Sequence, residues 1–287
     1  MSKVWEIDFY SRPILDEQQK KIWELLVCDS QRNFEFTKVC SGSQANARWL
    51  QEALAEALPL WRQQANYGEQ DFPERIRFFR RSMKSIIPRA CEALEIPAQP
   101  SRRTFGVYQW LCEREQTVYP QHPGYQPMMA APMTFEPTLP KPLPDALQGE
   151  GWRLVTLQLS AFEEMDEWDI AFGAKIPLAQ LNLPPETAIP GLLIFSERST
   201  PLAGWMSGLE LACLKLEMDP KPQLLLETGL SDRWVIAYLN DDPLVAEIQD
   251  FEKTKQAAQQ VHFVAVQSSP ESEQFAGFWL MQEIMAA

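Results

Sequence analysis

Histidine is almost missing from this chain of 287 residues; only His122 and His262 are present. Two imidazoles are too few for a His-rich zinc site, and neither has the setting of a Ser-His-Asp triad. His122 lies in a Pro-rich stretch, and His262 opens an apolar strand, where it reads as a satisfied edge residue. Cysteine pairs are missing too. The five cysteines, Cys28, Cys40, Cys91, Cys112 and Cys213, form no C-x-x-C motif. An odd count with apolar neighbours suits reduced, buried thiols rather than a disulfide framework or a metal cluster. No run of about 18 apolar residues occurs, so no membrane-spanning helix is expected. The opening MSKVWEIDFYSRP enters a strand-like pattern at once, with neither signal-peptide nor transit-peptide character. A cytoplasmic protein with no cofactor and no bound metal is the expectation.

What is present is charge, unevenly placed. The formal net charge is −13. Yet Pro73–Trp110 holds eight basic residues against three acidic ones. Phe78, Phe79, Phe105, Tyr108 and Trp110 interleave with them. Basic side chains neutralise phosphates and aromatic faces stack on unpaired bases, so this stretch is a candidate site for single-stranded RNA. The candidate contacts are Arg80, Arg81, Lys84, Arg102 and Arg103 for phosphate, with Tyr108 and Trp110 for bases. Set against this, such arginines can be plainly solvated or pair with second-domain carboxylates, and Trp110 can equally be core.

Along the chain, VWEIDF alternates as a strand, SRPILD turns, and KKIWELLVCD and NFEFTKVC follow as strands two and three. SGSQANARWLQEALAEALPLW reads as a helix. ERIRFFR reads as a strand, SMKSIIPRACEALEI as a helix, PAQPSR as a short extended piece and TFGVYQWLCEREQTVY as a helix. Pro120–Pro144 contains eight prolines and reads as an extended linker. Met128, Met129 and Phe135 are the residues that would dock it. Strand patterning restarts at GWRLVTLQLS. AFEEMDEWDI is an acidic turn or loop, and PGLLIFS a strand. PLAGWMSG leads into LELACLKLEM, PQLLLETG and DRWVIAYL, which are strand-like. DPLVAEIQDFEKTKQAAQQV is a helix capped by Asp242, HFVAVQ is a strand, and EQFAGFWLMQE closes the chain.

This predicts an α/β protein with mixed sheets and two domains: residues 1–119, a Pro-rich linker over 120–150, and residues 151–287. The first domain has the order of an RNase H-like fold. Such folds often hold magnesium on acidic residues of the first, second and fourth strands. Here Asp8, Glu24 and Asp29 are candidate acids, but the fourth strand ends in Arg80 and Arg81. The acid set is incomplete, and a binding role fits better than a nuclease.

The segments WEIDFYSRPILD, KIWELLVCD, FFRRSMKSII, PSRRTFGVYQWL, LPDALQGEGW, PLAGWMSGLE, LLLETGLSDRW and FAGFWLMQE, in that order, resemble the Tab-two-like family of oxygenic phototrophs. The resemblance runs over nearly the whole chain. It implies an RNA-binding protein, not an enzyme, that activates translation of photosystem messages, with a single-stranded mRNA leader as partner. With no transit peptide in view, it points to a cyanobacterial member. Photosystem biogenesis proteins are the alternative partners. The acidic second half, with Trp205, Trp234 and Trp279, is where a protein-binding assembly factor would present an aromatic patch.

Overall fold

In a computed structural model, the described residues are 3–129, 138–162, 165, 176, 178–272 and 274–284. The acidic stretch predicted as a turn or loop at 161–170 lies largely outside them, as does Phe135. The chain divides into two units, Met1–Thr134 and Phe135–Met285.

The first unit is organised by its first strand, β1 (Val4–Leu15). Odd positions Trp5, Ile7 and Phe9 are apolar and wholly buried; even positions Glu6, Asp8 and Arg12 are ionic and buried too. The period of two puts these sets on opposite faces. β1 pairs antiparallel with β2 (Lys21–Asp29), which pairs antiparallel with β3 (Glu35–Ser41). On its other side β1 runs parallel to β4 (Arg75–Phe78), and β4 parallel to β5 (Ala98–Pro100), giving the order β3-β2-β1-β4-β5. The apolar face packs on α1 (Ala47–Ala65) and α2 (Ile86–Glu92) through Leu50, Leu54, Trp61, Ile87 and Cys91. Asn46 caps α1 by accepting from the Trp49 amide at 3.0 Å. The third helix, α3 (Phe105–Thr117), packs on β1 and β2 and brings Val107 and Arg114 to the ionic face.

Strand β1 continues through Ser11–Leu15, where a turn is expected from Pro13. Proline is tolerated because the register with β2 shifts between Ser11 and Leu15, and β4 reaches only as far as Ile7. The vacated edge is taken by the Pro-rich stretch: Gln126 N donates to Pro13 O at 2.8 Å and Leu15 N to Gly124 O at 2.9 Å. A Cβ on Gly124 would lie 2.1 Å from Leu15 O, so only glycine allows this approach. Met128 does not dock; it is 97% exposed.

Among its described residues the second unit holds two four-stranded sheets. One has the order β13-β12-β8-β7, from β7 (Gly151–Gln158), β8 (Ala188–Phe195), β12 (Val261–Gln267) and β13 (Phe275–Gln282). The other has the order β6-β11-β10-β9, from β6 (Lys141–Pro142), β9 (Leu211–Glu217), β10 (Gln223–Thr228) and β11 (Asp232–Tyr238). Two helices, α4 (Ser199–Gly208) and α5 (Asp242–Ala257), add Leu202, Met206, Ile248 and Phe251 to a core with Leu214, Leu226 and Val264. Asp241, one residue before the expected cap, accepts from the Leu244 amide at 2.9 Å.

The outer edge of β9 is satisfied by side chains. Leu214 N donates to His262 Nε2 at 2.8 Å, Lys255 Nζ donates to Leu214 O at 2.9 Å, and Leu216 N donates to Glu252 Oε1 at 3.0 Å. His262 is therefore not an edge residue. It is fully buried on β12, and burial and nearby Lys255 push its pKa down to about 3. The neutral ring donates from Nδ1 to Gln260 O at 2.8 Å and accepts at Nε2.

Candidate nucleic-acid interface

The ionic face of β1 is where the predicted site begins. Asp8 and Arg12 are four apart on one strand and so share a face; Arg12 Nη1 donates to Asp8 Oδ2 at 2.8 Å. Glu24, on β2, accepts from Arg12 Nε at 2.8 Å and from Tyr119 Oη at 2.6 Å. Arg114 of α3 donates to its other oxygen at 2.5 Å. Arg80, just past β4, donates to Asp8 from Nε at 2.6 Å and from Nη2 at 3.2 Å. Its guanidinium lies 4.0 Å from the Tyr10 ring centroid. The result is a buried chain of charges, Arg80–Asp8–Arg12–Glu24–Arg114, in which each carboxylate is shared by two guanidiniums. Burial alone would raise the Asp8 carboxyl, but Arg80 and Arg12 outweigh it and hold it below the usual carboxylate range. The Arg12 guanidinium, despite its own burial, is held more firmly protonated by Asp8 and Glu24.

Glu6 behaves differently. It is fully buried, and burial raises its carboxyl to about 7, against the opposing pull of the Val107 amide, Ser30 and Arg77. Val107 N donates to Glu6 Oε2 at 3.1 Å, which ties the first turn of α3 to β1. A Cβ on Gly106 would already touch Asp29 O at 3.2 Å and Glu6 Oε2 at 3.3 Å.

The seven sequence-predicted residues are dispersed by depth. Arg81 and Lys84 are exposed, and Arg80 and Tyr108 are half-buried. Arg102, Arg103 and Trp110 are buried, at 8%, 5% and 7% exposure. Arg81 and Lys84 share the end of β4 with Arg80 and are followed on α2 by exposed Arg89. Arg102 and Arg103 sit in the turn before α3 as interior residues. Burial raises the Tyr108 hydroxyl to about 12.

The candidate metal-binding acids have other occupations. Asp8 and Glu24 are held by arginine, and Asp29 Oδ1 accepts from the Asn33 and Phe34 amides at 2.7 and 3.3 Å, closing the β2–β3 turn. Arg12, Arg114, Tyr119 and Glu6 are members of the site that the sequence patterns do not single out. The available signal is the polar set at every second position of β1, Glu6-Asp8-Tyr10-Arg12, which becomes meaningful once the strand is known to run past Ser11.

Comparison with known proteins accounts for both units. Residues 4–114 match the model described as "RNA-binding protein Tab2/Atab2 N terminal", and residues 130–282 match "RNA-binding protein Tab2/Atab2, C-terminal domain". The chain belongs to this RNA-binding Tab2/Atab2 family. "Protein TAB2 homolog, chloroplastic" of Arabidopsis thaliana is 37% identical over 293 residues, covering 98% of this chain and 75% of the plant protein. The Zea mays protein of the same description is 37% identical over 289 residues, covering 98% of this chain and 71% of its own length. A solved intasome of simian T-cell lymphotropic virus with PP2A regulatory subunit B56 gamma aligns at 11% identity with a TM-score of 0.31, over 82% of this chain and 78% of that one. That likeness is too slight to carry any argument.

Proposed function

We propose that this protein is a non-enzymatic, single-stranded RNA-binding protein that supports translation or biogenesis of photosystem subunits. The observation that carries the reading is membership of an RNA-binding family across both units. Within that reading, the first unit takes the RNA. Residues 1–134 carry 17 basic and 16 acidic residues, whereas 135–285 carry 9 basic and 23 acidic. The exposed Arg81, Lys84 and Arg89 give phosphate contacts at the end of β4, and half-buried Arg80, Tyr10 and Tyr108 are the nearby groups for bases. Buried Arg102, Arg103 and Trp110 are better suited to shaping this edge than to touching RNA. The strand order β3-β2-β1-β4-β5 supports reading the first unit as RNase H-like, with guanidiniums engaging the carboxylates a metal would need. That engagement favours binding over phosphodiester cleavage. The cytoplasm of a cyanobacterium is the compartment that goes with this reading, and a photosystem message leader is the RNA.

Charge reversal at Arg81, Lys84 and Arg89 tests it. Binding of a labelled single-stranded RNA should weaken, and its log–log salt slope should flatten by about 0.7 for each phosphate that is no longer neutralised. An unchanged slope in the folded triple variant would move the RNA site elsewhere.

A further inference from the structure

A small pocket opens on the second unit where the turn Asp145–Leu147 and the start of β7 meet α4 and β11. Leu202, Met206 and Leu226 form a buried floor, and Trp152, Trp205 and Ile236 form half-exposed walls. The cavity is about 30 Å³, and every residue lining it is apolar or glycine. That is room for the methyl end of one aliphatic side chain; a nucleobase is far larger, and no charged side chain lines the cavity to hold a phosphate. The wall is preformed. Trp205 meets Trp234 edge-on at 5.1 Å, and the Trp234 indole N–H donates to Thr228 Oγ1 at 3.1 Å.

The surroundings are acidic. Exposed Asp145 and Glu150 lie in the segments that line the pocket, and Glu150 accepts from the Glu197 amide at 2.9 Å, which brings a third exposed acidic residue alongside. The unit as a whole carries 23 acidic residues against 9 basic ones. Such a field repels a polyanion and draws in cationic partners.

We propose that this pocket is a docking site for a basic segment of a partner protein, which anchors one short aliphatic side chain between Trp152 and Trp205. Charge complementarity sets the partner's sign, and the pocket's size and apolar lining set its anchor. RNA held by the first unit does not need this site.

Fluorescence anisotropy on the full chain tests it. The probes are labelled twelve-residue peptides with five lysines and one leucine in a Gly/Ser background, the same peptide with glycine for leucine, and a labelled twelve-uridine RNA. The leucine peptide should bind about tenfold more tightly than its glycine counterpart. Trp205→Ala and Ile236→Lys should erase that difference without changing uridine-RNA binding. Equal binding of the two peptides, or failure of both to bind, overturns the proposal. So does loss of RNA binding in the two variants, which would assign the pocket to RNA. Should both variants misfold, the peptide preference of the wild type decides alone.

Discussion

The two units bury ions for different ends. In the first, Asp8 and Glu24 are bridged by Arg12, with Arg80 and Arg114 closing the chain, and side-chain exposure falls to 0% at Asp8, 2% at Arg12 and 3% at Glu24. In the second, Lys255 is fully buried at the β9 edge, and its partners Glu252 and Glu283 keep 21% and 12% exposure. One network lies between a sheet and a helix and is sealed; the other holds a strand edge and stays wetted. A buried charge is only as secure as its remaining partners, so these arrangements should fail differently.

The sharpest way to break the comparison is to delete the central cation of each. Arg12→Ala leaves two carboxylates buried away from water with one guanidinium each, Arg80 for Asp8 and Arg114 for Glu24, and should cost about 3–5 kcal/mol. Lys255→Met leaves two carboxylates that water reaches, and should fall at or below about 3 kcal/mol. Urea denaturation gives the magnitudes, and hydrogen exchange should show reduced protection in β1, β2 and α3 for the first variant and in β9 for the second. Equal losses would mean that depth does not separate the networks.

Next in size is a pH effect confined to the first unit. Glu6 has a folded pKa of about 7, above the ordinary carboxyl value of 4.5. Below about pH 4.5 both states are protonated and nothing is lost. As pH rises toward 7 the unfolded chain ionises while the fold still holds the proton, so stability declines by roughly 3 kcal/mol and then levels off. Glu6→Gln keeps an acceptor for the Val107 amide and should flatten that decline. A wild-type stability curve that does not fall between pH 5 and 7, or one unchanged by Glu6→Gln, would refute the assignment.

The smallest effect is one on which the units should agree. Asn46→Ala and Asp241→Ala each remove one helix cap and should each cost about 1 kcal/mol. A clear inequality in thermal unfolding would show that local helix ends also differ between the units.

The sheet and helix order of the first unit was legible because alternation in Val4–Phe9 and helical spacing from Ala47 are local signals. The ionic core was not. Arg12 stands beside Pro13, and a proline reads as a turn unless one knows that β4 ends opposite Ile7 and the Pro-rich stretch fills the gap. The depth of Arg102, Arg103 and Trp110 was hidden for a similar reason. Composition counts charges, but only the packing of α3 on an ionic sheet face decides which of them water reaches. In the second unit, α4 carried no clear helical signature because Gly204 and Gly208 lower its propensity, and a Cβ at either would meet nothing within 4 Å.

The side-chain closure of β9 bears on how this acidic unit survives at high concentration. An open strand edge is a template on which another backbone can polymerise, and sheets with two such edges can grow into fibrils. Here one outer strand offers its amides to His262 and Glu252 and its carbonyl to Lys255. The other outer strand is only Lys141 and Pro142, a cation and a residue with no N–H to give. The β9 margin is therefore closed by side chains at Leu214 and Leu216, and β6 covers the other margin at Trp234 and Val235. Truncating His262 or Lys255 to alanine would reopen one of them, and with it a route to self-association.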